Sequence, residues 1–332
     1  MNRTKPTGDT LCTPAEADRP EVAGPPSVPS ARARGLCKAF RNGRVTALDS
    51  IDLDLPAGSV TGLLGPNGSG KTTLLRLLLG LSRPTAGTVE LLGAPMPARA
   101  GEVLAHVGAL VERPGYHPYL SGRDNLTRRA AAEPLLATSE VRGAVERALA
   151  RVELTQHAEQ RYHRYSMGMR QRLGLAAVLL VPRRLVILDE PTQGLDPAGT
   201  RAVRRIIAEV RAEGSTVLLS SHLLGEVQEL CTRVVVLVDG SVVATGELTA
   251  LLESDGPALA VRTSEPSAAL AALRAARVPG YLEHGQVVAE LTDTTPEEVL
   301  RILVRADIPV AEARRRLTSL EDLFARITEV GP

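Results

Sequence analysis

A chain of 332 residues, 44% of them hydrophobic, can bury a sizeable core and has room for one large domain and a smaller one. A formal charge of +1 gives no reason to expect a nucleic-acid surface, and Cys12, Cys37 and Cys231 are too few and scattered for a disulfide framework or a zinc cluster. No run of about 18 apolar residues occurs and the amino terminus lacks an apolar signal core, so a cytosolic compartment is the default and membrane association is expected to pass through a partner or a surface contact.

Residues 1–30 are polar, proline-rich and without periodicity, which predicts a disordered tail. Alternating runs at Ala31–Phe40 and Val45–Leu55 predict antiparallel strands joined by a turn at Asn42-Gly43, forming a small sheet beside the core. The apolar stretch Ser59–Leu64 predicts a buried strand, and Thr72–Leu81 a helix. Between them lies Gly65-Pro66-Asn67-Gly68-Ser69-Gly70-Lys71-Thr72, followed by Thr73, which fits the phosphate-binding pattern G-x-x-x-x-G-K-[ST]. Its glycines let consecutive N–H groups turn inward around a phosphate, and the helix start adds unpaired N–H groups and a positive dipole end. Lys71 is expected to reach the β- and γ-phosphates, with the Thr72 hydroxyl on Mg²⁺.

Further strands are predicted at Gly87–Leu92 and Val103–Leu110. From about 113 to 170 the texture becomes helical, with Val141, Val145, Ala148, Leu149 and Val152 at helical spacing. Strand Leu185–Leu188, helix Ala198–Ala212, strand Thr216–Leu219 and helix Leu223–Leu230 follow, then a hairpin of Arg233–Val238 and Ser241–Thr245. This alternation predicts an α/β fold with a mostly parallel sheet covered on both faces. The main domain is expected over 31–252, and a small carboxyl-terminal α/β unit, accessory or dimerising, over 253–332.

Two acids, Asp189 and Glu190, end the strand Leu185–Leu188, where ligands of open α/β sheets sit. Asp189 suits Mg²⁺ and Glu190 suits the attacking water. His222 lies just past Thr216–Leu219, placed to hydrogen-bond a γ-phosphate. These residues point to hydrolysis of a nucleoside triphosphate.

With these motifs in this order the chain resembles the ATPase subunits of ATP-binding cassette (ABC) transporters over roughly 32–248. Tyr165-Ser166-Met167-Gly168-Met169-Arg170-Gln171-Arg172 resembles the family signature, with Met167 and Met169 departing from its usual residues. The resemblance implies that Ser166 and Gly168 close over nucleotide held by a second subunit in a head-to-tail dimer. It implies that Phe40 stacks on adenine, where an ordinary small-sheet core residue is the alternative. The loop Gln193-Gly194-Leu195-Asp196 is implied to cross the dimer interface.

Glu112 falls where the family generally has a glutamine that contacts Mg²⁺ and the membrane partner. The extra charge leaves two readings, metal ligand or coupling hinge. Glu112, the signature and Ser319-Leu320-Glu321-Asp322-Leu323-Phe324 together resemble bacterial exporter ATPases of the bacitracin- and daunorubicin-resistance type. A peripheral subunit on the cytoplasmic face of the membrane is then expected, paired with a separate permease. Tyr116, Pro118, Tyr119 and Leu120 are candidates for the groove that receives it, or for a buried turn. A non-transport ABC ATPase acting on ribosomes or DNA is the alternative, though such translation-type relatives usually carry two cassettes where one is present here. A third reading is an assembly or regulatory module with little turnover.

Overall fold

A computed structural model describes residues 28–329 except 42, 112–113, 254–257, 284, 293 and 317–319. The expected tail over 1–30 therefore lies almost wholly outside the described residues, as do the turn residue Asn42 and the start of the Ser319–Phe324 motif. Strands β1 (Ala31–Phe40) and β2 (Val45–Leu55) pair antiparallel and turn Ala31, Ala33, Leu36, Leu48, Ile51 and Leu55 inward. Strand β3 (Val60–Leu64) is buried at every position and feeds the glycine-rich loop into α1 (Lys71–Leu78). The helix stops short of Leu81 because Gly80 takes a φ of +70° while Leu81 N–H donates to Arg76 O and Gly80 N–H to Leu77 O, a Schellman closure.

Strands β4 (Ala86–Leu91) and β5 (Ala94–Met96) complete a four-stranded sheet ordered β2-β1-β4-β5. The strand expected over Val103–Leu110 is only half realised. Val103 closes the short helix α2 (Ala100–Val103), Leu104–His106 form a 3-10 turn, and β6 is confined to Val107–Leu110. The carbonyls of Ala105 and His106 are taken by the Arg183 guanidinium and the Arg184 N–H, so pairing with the neighbouring strand begins at Val107.

The helical stretch contains α3 (Gly122–Ala131), α4 (Val141–Arg151) and α5 (Met167–Val178). A capping box between Ser121 and Asp124 starts α3, and Ala144, Val145, Ala148 and Leu149 form the buried face of α4. Where α3 ends, Glu133 receives both terminal nitrogens of Arg183 at 3.1 and 2.6 Å. The side chains are 10% and 7% exposed, so this ion pair pins the helical stretch to the segment leading into the next core strand.

That strand, β7 (Leu185–Asp189), is followed by α6 (Pro197–Ala212), β8 (Thr216–Ser220), α7 (Leu224–Leu230), β9 (Arg233–Val238) and β10 (Ser241–Glu247). The six-stranded sheet runs β10-β9-β3-β8-β7-β6 and is parallel except for the hairpin edge β10-β9. Alternate residues serve opposite faces: Val186, Leu188, Val217 and Leu219 join one apolar cluster, Leu185, Ile187 and Leu218 the other. Cys231 is buried in the first cluster, which pushes its thiol up to about 12. Iodoacetamide at pH 8 should therefore leave Cys231 unmodified in the folded protein and alkylate it after unfolding, as peptide mass spectrometry would read out.

After α8 (Leu248–Glu253), a compact βαββαβ unit follows: β11 (Ala258–Arg262), α9 (Pro266–Ala275), β12 (Gly280–Glu283), β13 (Gln286–Glu290), α10 (Pro296–Arg305) and β14 (Glu312–Arg316). Its strand order β12-β13-β11-β14 is the split-βαβ arrangement, and Leu259, Val261, Leu273, Val287, Val299 and Leu303 form a core of its own. The expected segment 253–332 is thus divided. Helix α11 (Leu320–Glu329) leaves that unit, packs on α7, and puts Leu320 and Leu323 into the first cluster of the main sheet. Among the described residues no helix is long and apolar enough to cross a membrane.

Candidate functional site

The site forms at the carboxyl ends of β3, β7 and β8. The loop after β3 can only be built with glycines at its tight points. A Cβ on Gly65 would lie 2.1 Å from Leu237 O, and one on Gly70, whose φ is +104°, 2.5 Å from Ala47 O. Gly70 is also the cap of α1, with no side chain over the first N–H groups, so those donors face the loop cavity. Lys71 is only 7% exposed, and its Nζ donates to Gly65 O at 2.7 Å and Pro66 O at 3.0 Å. Burial pulls its ammonium below the ordinary lysine range, against the opposing pull of Glu190 and Asp189. Ser69 Oγ is buried with no partner, an orphan hydroxyl of the kind a phosphate oxygen would satisfy.

A continuous polar chain crosses from this loop to the acids. Thr72 Oγ1 donates to Asp189 Oδ2 at 2.8 Å, and Ser220 Oγ donates to Asp189 Oδ1 at 2.5 Å. The register of β7 on β8, which sets Asp189 opposite Ser220, makes the second bond possible. Ser220 Oγ also accepts from Glu190 N–H at 2.9 Å, and the Glu190 carboxylate lies 2.6 Å from His222 Nδ1. Glu190 sits in the left-handed region at φ +48°, uncommon for a residue with a side chain, and so turns out of the strand line. Gln171 of α5 reaches the same corner, with Nε2 3.2 Å from Pro191 O and 3.4 Å from Glu190 O.

The loop and the two acids face a cavity of about 430 Å³ lined by Asn67, Gly68, Gly70, Lys71, Thr72 and Thr73 on one side, while Ser220 and His222 stand behind the acids and outside its lining. Met167, Gln171, Asp189, Glu190 and Gln193 line it elsewhere. Its dimensions and donors suit a nucleotide polyphosphate. Among the described residues no group of three His, Cys, Asp or Glu side chains could hold a metal, so a cation there would rest on Thr72 and Asp189 with water and phosphate oxygens. That donor set fits Mg²⁺, which keeps several waters.

Other expected site residues stand apart from this lining. Ser166 is the cap of α5, its Oγ accepting from Met169 N–H at 3.2 Å, and Gly168 faces Leu195. Met167 lies against Gly194, while Asp196 caps α6 by accepting from Gly199 N–H at 2.8 Å. Phe40, 41% exposed at the end of β1, carries Lys38 Nζ 4.8 Å above its ring and does not line the cavity. Glu112 lies outside the described residues. A second cavity of about 730 Å³ is bordered by Tyr116, Pro118, Asn125, Arg128 and Arg129, whereas Tyr119 and Leu120 lie outside its lining. Tyr116 donates to Leu173 O at 3.1 Å, and burial raises its phenol well above the tyrosine range. Sequence reasoning missed Ser220 and gave Gln171 no role, although a serine at the end of the strand beside Asp189 was a readable signal.

A family model described as ABC transporter matches residues 48–193. An uncharacterized ABC transporter ATP-binding protein of Bacillus subtilis, YdbJ, is 37% identical over 282 residues, covering 85% of this chain and 90% of that protein. The chain belongs to the ABC transporter ATP-binding family. This ABC subunit is also similar to the daunorubicin resistance ATP-binding protein DrrA3 of Streptomyces coeruleorubidus, at 35% identity over 87% of the chain and 93% of the relative. The bacitracin transport ATP-binding protein BcrA of Bacillus licheniformis is 37% identical over 60% of the chain and 64% of its own length. A solved ATP-binding subunit of an ABC transporter aligns with a TM-score of 0.62 at 25% identity, over 68% of this chain and 92% of that one. The α/β architecture with its antiparallel subdomain and helical insertion is therefore the P-loop ABC-ATPase fold, and the ABC subunit is an ATP-hydrolysing enzyme.

Proposed function

We propose that this ABC ATPase is the cytoplasmic, peripheral subunit of an exporter, and that two copies closing head to tail on MgATP drive a separate permease to release an antibiotic, peptide or other amphiphile. The observation that carries the reading is the chain of contacts from Thr72 through Asp189, Ser220 and Glu190 to His222, set beside the phosphate loop. Relatives named for bacitracin transport, daunorubicin resistance and Nod factor export support the direction and the class of cargo.

In this reading Gly65 to Thr73 cradle the phosphates, and Lys71 exchanges its carbonyl partners for β- and γ-phosphate oxygens. Thr72 and Asp189 would hold Mg²⁺, which would supply charge neutralisation at the phosphates. Glu112 is assigned to the same metal or to the coupling hinge. Glu190 takes the proton of the attacking water, and His222 steadies that carboxylate through Nδ1. His222 is also assigned a hydrogen bond to the γ-phosphate. Phe40, partly exposed, is assigned to stack on adenine. Ser166 and Gly168 meet the γ-phosphate bound by the second copy, and the loop ending at Asp196 crosses between the copies. The cavity at Tyr116, Pro118 and Arg129 receives a cytoplasmic helix of the permease.

Lys71→Ala should weaken MgATP binding by roughly 10- to 150-fold, the loss expected for charge-assisted bonds worth about 1.5–3 kcal/mol. Titration calorimetry on the full chain checks this, and binding within twofold of the parent would reject the site. Stimulation of phosphate release by an antibiotic or peptide, in vesicles holding a co-purified multispan protein, tests the cargo.

A further inference from the structure

The catalytic corner is backed by a buried carboxyl that none of these roles uses. Glu226, in the first turn of α7, is 6% exposed, and the two hydroxyls facing it, on Thr192 and Ser221, are 5% and 1% exposed. Its Oε2 accepts from Thr192 Oγ1 at 2.6 Å and lies 3.5 Å from Ser221 Oγ, the limit of a hydrogen bond. Ser221 Oγ in turn accepts from Leu223 N–H at 3.0 Å, and Glu226 N–H donates back to Leu223 O at 3.1 Å.

The chain positions give this cluster its meaning. Thr192 is two residues past Glu190, inside a turn closed by Gln193 N–H donating to Glu190 O at 3.1 Å. Ser221 is the residue before His222. Two corners that leave different strands are thus tied to one side chain, directly behind the 2.6 Å contact between Glu190 and His222. Burying polar groups in this way costs stability unless every member is satisfied, and the short Thr192 bond supplies most of that satisfaction.

We infer that Glu226 is a positioning residue for ATP hydrolysis: by taking the Thr192 hydroxyl and backing Ser221, it holds the corners carrying Glu190 and His222 in register with each other. The inference rests on the roles proposed above for that pair. Loss of the tie lets the two corners drift, and displacement on the order of 1 Å near a reacting group can cost up to about 100-fold in rate. Nucleotide affinity is set by the phosphate loop on the other side of the cavity and should hardly change.

The test is steady-state phosphate release by the full chain against MgATP concentration, with binding of MgATP measured separately by calorimetry. Thr192→Val removes one hydroxyl at nearly constant shape, so it remains informative if Glu226→Leu, which takes away the acceptor, fails to fold. Each variant should lower kcat about tenfold with KM and Kd within about twofold of the parent. The double variant should be no slower than the slower single, and Thr192→Val should cost less than about twofold in a His222→Ala background. Unchanged kcat in Thr192→Val, a rise in KM and Kd with kcat preserved, or a full tenfold loss added on top of His222→Ala would each overturn the positioning role. Parent-like kcat in both Glu190→Gln and His222→Ala would instead overturn the reading beneath it, whatever Thr192→Val does.

Discussion

Glu190→Gln is expected to lower steady-state phosphate release by about 10²–10⁴-fold, the range typical for loss of a general base. An amide oxygen still accepts from His222 Nδ1, so the corner keeps its shape, but the amide cannot take a proton from water. The Lys71 and Thr72 contacts are untouched, and MgATP affinity should stay within a few-fold of the parent. Binding without turnover should accumulate a closed pair of copies, visible as a doubling of mass by light scattering in MgATP that is absent with MgADP. Unchanged phosphate release would remove Glu190 from the chemistry. Slow release without a mass change would argue against closure of two copies on nucleotide.

The second large effect concerns folding. Arg183→Ala should cost about 3–5 kcal/mol, because it strands the Glu133 carboxylate at a site only 10% exposed. It also frees the Ala105 carbonyl at the point where β6 begins. Urea unfolding followed by circular dichroism measures the loss. Replacing both partners, Arg183→Met with Glu133→Leu, should recover most of it, since two apolar side chains of similar bulk leave no buried charge behind. A single variant as stable as the parent would show that the pair contributes nothing to holding the helical stretch on the core.

What could be read from residue order alone was chemistry concentrated in residue type. The loop Gly65–Thr72 announces phosphate because no other common use needs that spacing of glycines, a lysine and a hydroxyl. Strands β1 and β2 were equally plain as short alternating runs on either side of a turn signal, although the register shifts between them were not. The Asp189-Glu190 pair was legible from its place at the end of an apolar strand.

Groups whose part depends on an adjacent strand or a neighbouring helix were not legible. Ser220 matters through the register of β8 on β7, and Thr192 and Glu226 meet across 34 positions of chain. The strand expected at Val103 failed because apolar content there serves a helix end and a turn, and the backbone acceptors go to Arg183 and Arg184. Strand β14 escaped notice for the opposite reason. Glu312–Arg316 is almost wholly charged, which suits an exposed sheet edge guarding against further pairing but hides it from any hydrophobic pattern.

The return of α11 to α7 gives the last quarter of the chain an unexpected topology. Leu248 of α8 and Leu320 and Leu323 of α11 belong to one apolar cluster, so the βαββαβ unit is slung between two anchorages and is not trailed from a single linker. A ligand or partner that tugs on such a sling pulls at both moorings, and one of them rests on the helix that begins two residues beyond His222.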